Sequence, residues 1–158
     1  MARLCSEDEQ IKSSIELLLL KEKKQIKNQD IWVPYNLIIE SGNKKVIYKK
    51  EDDNYNNGDF VFSLVPSNEI EKLVNEISNF LIQEEGSSYS FEPLEPSFEL
   101  EVEKSHKGYS VYIWVDAGNV ASEHYTWDGL GIRFFTTEEK IHCFIEELKR
   151  EVKEYNYA

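Results

Sequence analysis

The sequence predicts an α+β domain with a mainly antiparallel sheet of about six to eight strands and two amphipathic helices. Short runs such as residues 98–103 and 109–115 alternate apolar and polar side chains, the pattern of half-buried strands. Two longer segments, about residues 68–84 and 137–154, carry apolar side chains at helical spacing. Because helices do not alternate with every strand, antiparallel pairing is favoured over a parallel sheet.

The first half of the chain begins with an ambiguous element. Residues 15–20, Ile-Glu-Leu-Leu-Leu-Leu, fit either a helix or a buried strand. Residues 32–40 and 44–49 lie on either side of Ser41-Gly42-Asn43, a turn signal, and predict a β-hairpin. Residues 60–64 predict a further short strand.

The first helix follows Pro66-Ser67-Asn68, which supplies a start signal. Asn68 and Glu71 have the spacing of a capping box. The apolar stripe consists of Ile70, Leu73, Val74, Ile77, Phe80 and Leu81. This periodicity indicates a core-facing helix surface and not a ligand site.

The second half is predicted to form a hairpin, another strand and the last helix. Residues 98–103 and 109–115 flank a polar turn, and residues 130–135 read as the next strand. Thr136 and Glu139 fit a capping box that opens the helix. Its apolar stripe consists of Ile141, Phe144, Ile145, Leu148 and Val152.

The charge is unevenly distributed along the chain. Residues 1–53 carry ten basic and ten acidic side chains, whereas residues 54–158 carry eight and twenty and so account for the net charge of −12. Such a field opposes direct binding of nucleic acid and favours encounter with a basic partner. The competing interpretation is that the acidity serves only solubility.

The sequence also bears on where the protein works. It contains no apolar run long enough to span a membrane, and its N-terminus does not resemble a signal peptide. Cys5 and Cys143 lie far apart and have neither metal-binding nor redox spacing, which favours free thiols in a reducing compartment. We therefore expect a cytoplasmic protein with no membrane partner.

No motif predicts an enzyme, a metal site or a cofactor. His106, His124 and His142 have no helical metal-ligand spacing, and His142 and Cys143 are adjacent on a helix, where their side chains diverge. Phosphate-loop and nucleophile-elbow patterns are missing from the sequence. The open alternative is an enzyme of unrecognised type that uses His124, Asp128 and Asp116.

One constellation suggests a binding surface. If residues 97–103 and 109–115 pair, one face of the hairpin carries acidic and aromatic side chains, because paired strands alternate together. These are Glu99, Glu101, Glu103, Tyr112, Trp114 and Asp116. Acidic groups around Tyr and Trp suit docking to a basic protein surface. Alternatively, another element covers the two aromatic side chains.

The loop at residues 118–129 is long for a hairpin connection, and long loops in compact domains are often functional. Its candidate recognition residues are His124, Tyr125, Trp127 and Asp128. The two aromatic side chains would otherwise fold back as packing.

Residues 109–120, Tyr-Ser-Val-Tyr-Ile-Trp-Val-Asp-Ala-Gly-Asn-Val, and 125–135, Tyr-Thr-Trp-Asp-Gly-Leu-Gly-Ile-Arg-Phe-Phe, resemble small bacterial immunity proteins of the WapI-like family. Tyr89-Ser-Phe-Glu-Pro and Glu95-Pro-Ser-Phe-Glu99 are similar to the stretch before that family's central strands. The resemblance implies a strand at residues 15–20. It leaves residues 1–13 as a leader that need not be ordered, followed by a single α+β domain at residues 14–158.

The resemblance implies a cytoplasmic, non-enzymatic antidote that binds and neutralises the toxic domain of a contact-delivered toxin, often a nuclease. The expected partner is a cognate basic toxin domain. A regulatory domain that binds an unrelated partner remains an alternative. The resemblance carries over no binding residues, so the candidate site residues come only from the hairpin face and the loop.

Overall fold

The two sheets and two helices of the protein are seen in a computed structural model that describes residues 1–8, 10–20, 25–27, 30–48, 63–94, 97–116 and 129–156. The strands are β1 (Ala2–Cys5), β2 (Ser13–Leu19), β3 (Gln25–Lys27), β4 (Asp30–Ser41), β5 (Lys44–Tyr48), β6 (Ser63–Leu64), β7 (Ser88–Phe91), β8 (Phe98–Ser105), β9 (Gly108–Asp116) and β10 (Gly129–Thr136). The helices are α1 (Glu71–Leu81) and α2 (Glu138–Asn156).

The strands form one sheet of six and one of four. The first has the order β1-β2-β4-β3, with β5 and β6 also paired to β4, and the second has the order β10-β9-β8-β7. Each pairing among the described strands is antiparallel. The predicted α+β class with a mainly antiparallel sheet and two helices is therefore confirmed.

Residues 15–19 of the ambiguous element belong to strand β2. Ile15, Leu17 and Leu19 all face the core and are almost fully buried. The side chains between them are also largely covered, which is why the segment lacks the clear alternation of a half-buried strand. The strand that the family resemblance implies is the one observed.

Helix α1 begins differently from the prediction, after a π-helical turn at Pro66–Ile70. Neither the turn nor the helix has a side-chain cap at its N-terminus, so the predicted capping box of Asn68 and Glu71 is wrong. The carboxylate of Glu69 instead bonds two backbone N–H groups outside the helix. It accepts the backbone N–H of Val65 at 2.6 Å and that of Leu94 at 2.7 Å.

We expect Glu69→Ala to lower the free energy of unfolding by roughly 2–4 kcal/mol, because the buried Val65 N–H and the partly buried Leu94 N–H lose their acceptor, and a stranded buried donor costs about 1–3 kcal/mol. Glu69 is itself only 4% exposed. The conservative Glu69→Gln keeps an oxygen acceptor and should cost less. Urea unfolding of the two variants measures this, and equal midpoints for Glu69→Ala and the parent would show that these hydrogen bonds contribute nothing.

The cap of α2 is also shifted by one residue from its predicted position. The Thr137 hydroxyl, and not Thr136, accepts the backbone N–H of Lys140, at 3.4 Å. The Thr136 hydroxyl instead donates to the Cys5 carbonyl at 2.7 Å. The predicted pairing of Thr136 with Glu139 is therefore wrong, because Thr136 is the buried last residue of β10 and is used to join β10 to β1.

Residues 2–5, within the segment predicted as a leader, form β1 and pair with β2. Ala2 and Leu4 are fully buried. On the free edge of this strand, the Arg3 N–H donates to the Glu147 carboxylate of α2 at 2.7 Å. Side chains of α2 and β10 therefore satisfy backbone groups that an edge strand would otherwise present to solvent.

One contiguous core joins the inner faces of both sheets to the apolar stripes of both helices. Tyr35 of the first sheet packs edge-on against Phe98 of the second, with ring centroids 6.0 Å apart. Tyr109 on the inner face of the second sheet donates to Glu138 of α2 at 2.9 Å, and burial together with this bond raises the pKa of Tyr109 to about 12. With its inner face occupied in this way, the second sheet presents its opposite face outward.

Candidate functional site

The register of β8 and β9 brings the predicted acidic and aromatic residues to one face. Glu99 lies opposite Trp114, and Glu101 lies opposite Tyr112. Glu103 follows on the same side of β8 because alternate residues share a face. We call this side of the second sheet the outer face. Its residues are Ser88 and Ser90 of β7, Glu99, Glu101 and Glu103 of β8, Ser110, Tyr112 and Trp114 of β9, and Gly131, Arg133 and Phe135 of β10.

The outer face is open to solvent at its aromatic side chains. Trp114 is 45% exposed and Phe135 is 57% exposed, whereas Tyr112 and the three glutamates are half-buried. The neighbouring side chains of β9, Val111, Ile113 and Val115, are fully buried on the other side. The sequence left open whether the aromatic side chains of this face are covered or exposed, and Trp114 is exposed.

Hydrogen bonds across the strands fix two of the three glutamates. Glu99 Oε1 accepts the hydroxyl of Ser90 at 2.7 Å, and Glu103 Oε2 accepts the hydroxyl of Tyr112 at 2.9 Å. Bonds of this kind hold a carboxylate in place while leaving further lone pairs available. Spacing along the strand places alternate side chains roughly 7 Å apart, so β8 presents a row of anionic groups.

The indole ring of Trp114 lies directly over Gly131 of β10. A Cβ atom at position 131 would come within 2.5 Å of Trp114 Cε3 and 2.6 Å of Trp114 Cζ3. Glycine is therefore required sterically here, although its backbone conformation needs no positive φ. The bare backbone of Gly131 provides the surface on which the ring rests.

We expect Gly131→Ala to displace the indole and lower the melting temperature, because the new methyl group would occupy the position of the ring. The same substitution in a Trp114→Ala background should cost much less, because the obstructing ring is gone. Thermal melting of the four proteins in this double-mutant cycle measures the coupling. Equal losses in both backgrounds would contradict the contact between Trp114 and Gly131.

Arg133 and Phe135 belong to the outer face but were not among the predicted site residues. Arg133 lies opposite Tyr112, and its guanidinium carbon is 5.9 Å from the centre of the Tyr112 ring. Phe135 lies opposite Ser110. The sequence does contain a signal for an outward phenylalanine. Neighbouring strand residues point to opposite faces, so one member of the adjacent pair Phe134-Phe135 must point outward, and in the structure only Phe134 is buried.

The side chains of the remaining predicted site residues are not among those that the structure describes. Asp116 ends β9 opposite Gly129, but its side chain is not described. His124, Tyr125, Trp127 and Asp128, predicted to lie in a loop, fall within residues 117–128, which the structure does not describe. The role of these five residues, whether in recognition or in catalysis, stays a prediction.

Among the described residues, no group of three or more His, Cys, Asp or Glu side chains is arranged to hold a metal ion. His106 lies 3.4 Å from Glu85, and His142 lies 3.7 Å from Glu138, both at exposed positions. Neither described helix is long and apolar enough to cross a membrane.

These features define an α+β protein with an open, acidic and aromatic sheet surface. Residues 8–156 match the model of the immunity protein WapI-like family, and the chain belongs to that family. The match includes both helices and all of the second sheet, and it confirms the resemblance found in the sequence. A comparison with curated proteins gives no match.

Proposed function

We propose that the protein is a non-enzymatic, cytoplasmic immunity protein that neutralises the toxic domain of a contact-delivered toxin by binding it through the outer face. Membership of an immunity protein family supports the class of partner. The observation that supports this surface as the binding site is the register, which places Glu99 beside the exposed Trp114 and Glu101 beside the half-buried Tyr112. Such a face combines long-range attraction with anchors for short-range packing.

The charge of the outer face supports a basic partner. The described outer face carries three carboxylates and one guanidinium, so its local charge has the same sign as the net charge of −12. A basic surface is drawn toward such a face, and the attraction increases the rate of encounter. We infer that the toxin domain presents lysine and arginine side chains to β8.

A basic toxin surface of this kind fits a nuclease. Enzymes that cleave nucleic acid carry basic side chains positioned to accept phosphate groups. The row of carboxylates on β8 would occupy those positions in place of phosphates. Binding there excludes the substrate, so neutralisation requires no chemical change in the toxin and no catalytic residue in the immunity protein.

Co-expression tests this function directly. The protein is produced together with the C-terminal domain of the toxin-like protein encoded beside its gene, and cell survival and co-purification are scored. We expect survival and a stable complex. Cell death with no complex would contradict the proposed function.

Titration of the purified toxin domain tests whether the inhibitor acts without catalysis. A binding inhibitor abolishes toxin activity at about one equivalent per toxin, because each molecule stays bound. Complete inactivation by a small fraction of an equivalent would instead show that the protein modifies the toxin enzymatically. A matched titration with heat-denatured protein controls for nonspecific effects of an acidic polymer.

A further inference from the structure

We propose that Arg133 and Phe135 of β10 form, with Trp114, a subsite that selects the cognate toxin domain, by pairing with a carboxylate and an apolar side chain of that domain. This inference rests on the proposed function and assigns a separate role to the β10 side of the outer face. The acidic β8 side attracts basic partners in general. The β10 side discriminates among them.

Arg133 has a charge opposite to that of the rest of the described outer face. Its side chain is exposed, and its guanidinium carbon lies 5.9 Å from the centre of the Tyr112 ring. Among the described residues, no carboxylate lies within ion-pair distance of it. If the surface served only to attract cations, an uncharged residue at this position would attract a basic partner more strongly, because Arg133 repels such a partner.

The guanidinium is nevertheless held in a defined place. Tyr112 donates its hydroxyl to Glu103 at 2.9 Å, which fixes the ring against which Arg133 lies. A planar guanidinium held at an aromatic ring retains its N–H donors for a bidentate bond to a carboxylate. A row of side chains therefore crosses three strands and ends in a cationic donor group. It consists of Glu103, Tyr112 and Arg133.

Two exposed apolar side chains lie on either side of this row. Trp114 is 45% exposed over Gly131, and Phe135 is 57% exposed two residues beyond Arg133. Phe134 fills the core position of the same strand, so the core does not require a second phenylalanine. Aromatic and arginine side chains grouped in this way resemble the anchor regions of protein interfaces.

The partner must therefore carry a mixed pattern. It presents basic side chains to β8, a carboxylate to Arg133 and at least one apolar side chain to Trp114 and Phe135. A basic protein without that carboxylate would leave the guanidinium desolvated and unpaired, which is a penalty that excludes wrong partners.

Charge reversal at Arg133 distinguishes this proposal from purely electrostatic attraction, because the two predict changes of the Kd in opposite directions. The probe is the C-terminal domain of the toxin-like protein encoded beside this gene, made catalytically inactive, and its Kd is measured kinetically. We expect Arg133→Glu to raise the Kd by about 30-fold or more, mainly through faster dissociation. If attraction alone operates, the more acidic face binds a basic partner equally well or more tightly.

Arg150→Glu is the matched control, since it makes the same change of charge at an exposed position of α2 away from the outer face. We expect its Kd to stay within about twofold of the parent, the range of a neutral surface change. Phe135→Ala should raise the Kd about tenfold, whereas Ile82→Ala, at a site 86% exposed near the end of α1, should not. Thermal melting verifies that each variant is folded.

The possible outcomes are distinguishable. A stable complex with the parent, weakened by Arg133→Glu and Phe135→Ala but not by the controls, supports the subsite. A stable complex that is unchanged or tightened by both β10 variants overturns the subsite and leaves the proposed function standing. The absence of any complex with the parent protein overturns both.

Discussion

Replacing Glu99, Glu101 and Glu103 with lysine is expected to slow association with the toxin domain by about 100-fold or more at low ionic strength. Electrostatic steering separates association rate constants of about 10⁸–10⁹ M⁻¹s⁻¹ from about 10⁵–10⁶ M⁻¹s⁻¹ for neutral encounters. Three reversals on β8 remove that attraction and replace it with repulsion. Added salt should narrow the difference between parent and variant, because it screens both effects.

The matched control reverses three exposed glutamates outside the second sheet, Glu71, Glu84 and Glu139. Both triple variants have the same net charge, so any difference between them reports the position of the charge and not its amount. Stopped-flow association at several salt concentrations measures the rates. Equal rates for the β8 variant and the parent would exclude β8 from the docking surface.

Trp114→Ala is expected to weaken the complex by about 30-fold or more, mostly through faster dissociation. Truncation of an aromatic anchor at the centre of an interface commonly reduces the free energy of binding by at least about 2 kcal/mol. Differences in affinity among variants of one interface lie mainly in the dissociation rate. Because Trp114 is 45% exposed in the free protein, its removal should affect folding much less than it affects binding.

Leu94→Ala serves as the control, since Leu94 is 66% exposed in the segment between β7 and β8. Loss of apolar area at that position should leave the dissociation rate unchanged. An unaltered dissociation rate for Trp114→Ala would show that the indole is not an anchor, even if the glutamates still steer association.

The sequence predicts the elements whose side-chain period is clear. Strands β8 and β9 alternate strictly, and helices α1 and α2 have continuous apolar stripes, so burial of one face determines each of them. Strands β1, β3 and β7 were not predicted, because they are only three or four residues long. Such short strands depend on neighbouring chain segments for their pairing, which a local pattern does not reveal.

The two capping predictions are wrong because of different features near the helix starts. Thr136 is buried and bonds to the Cys5 carbonyl across 131 positions of the chain, and Glu69 reaches the Leu94 backbone across 25. At α2 a tertiary contact takes the Thr136 hydroxyl, whereas at α1 the chain enters through the π-helical turn at Pro66–Ile70, where Glu69 bonds the Val65 N–H. Sequence spacing alone cannot weigh these alternatives.

In the candidate site, too, the sequence predicts some residues and not others. Alternation on β8 and β9 was enough to group Glu99, Glu101, Tyr112 and Trp114, because a two-residue turn fixes the hairpin register. The position of Arg133 on that face depends on the pairing of β9 with β10, which are separated by residues 117–128 in the chain. No local rule fixes a register across such a connection, so β10 could be identified as a strand but its outward side chains could not be placed.

Oxidative footprinting of the complex tests the central claim most directly, because it measures the solvent access of individual side chains with and without the inactive toxin domain. Binding through the outer face should strongly reduce oxidation of Tyr112, Trp114 and Phe135, while Ile82 and Leu94 react as in the free protein. Unchanged oxidation of the three aromatic side chains in a stable complex would contradict the claim and place the interface elsewhere on the molecule.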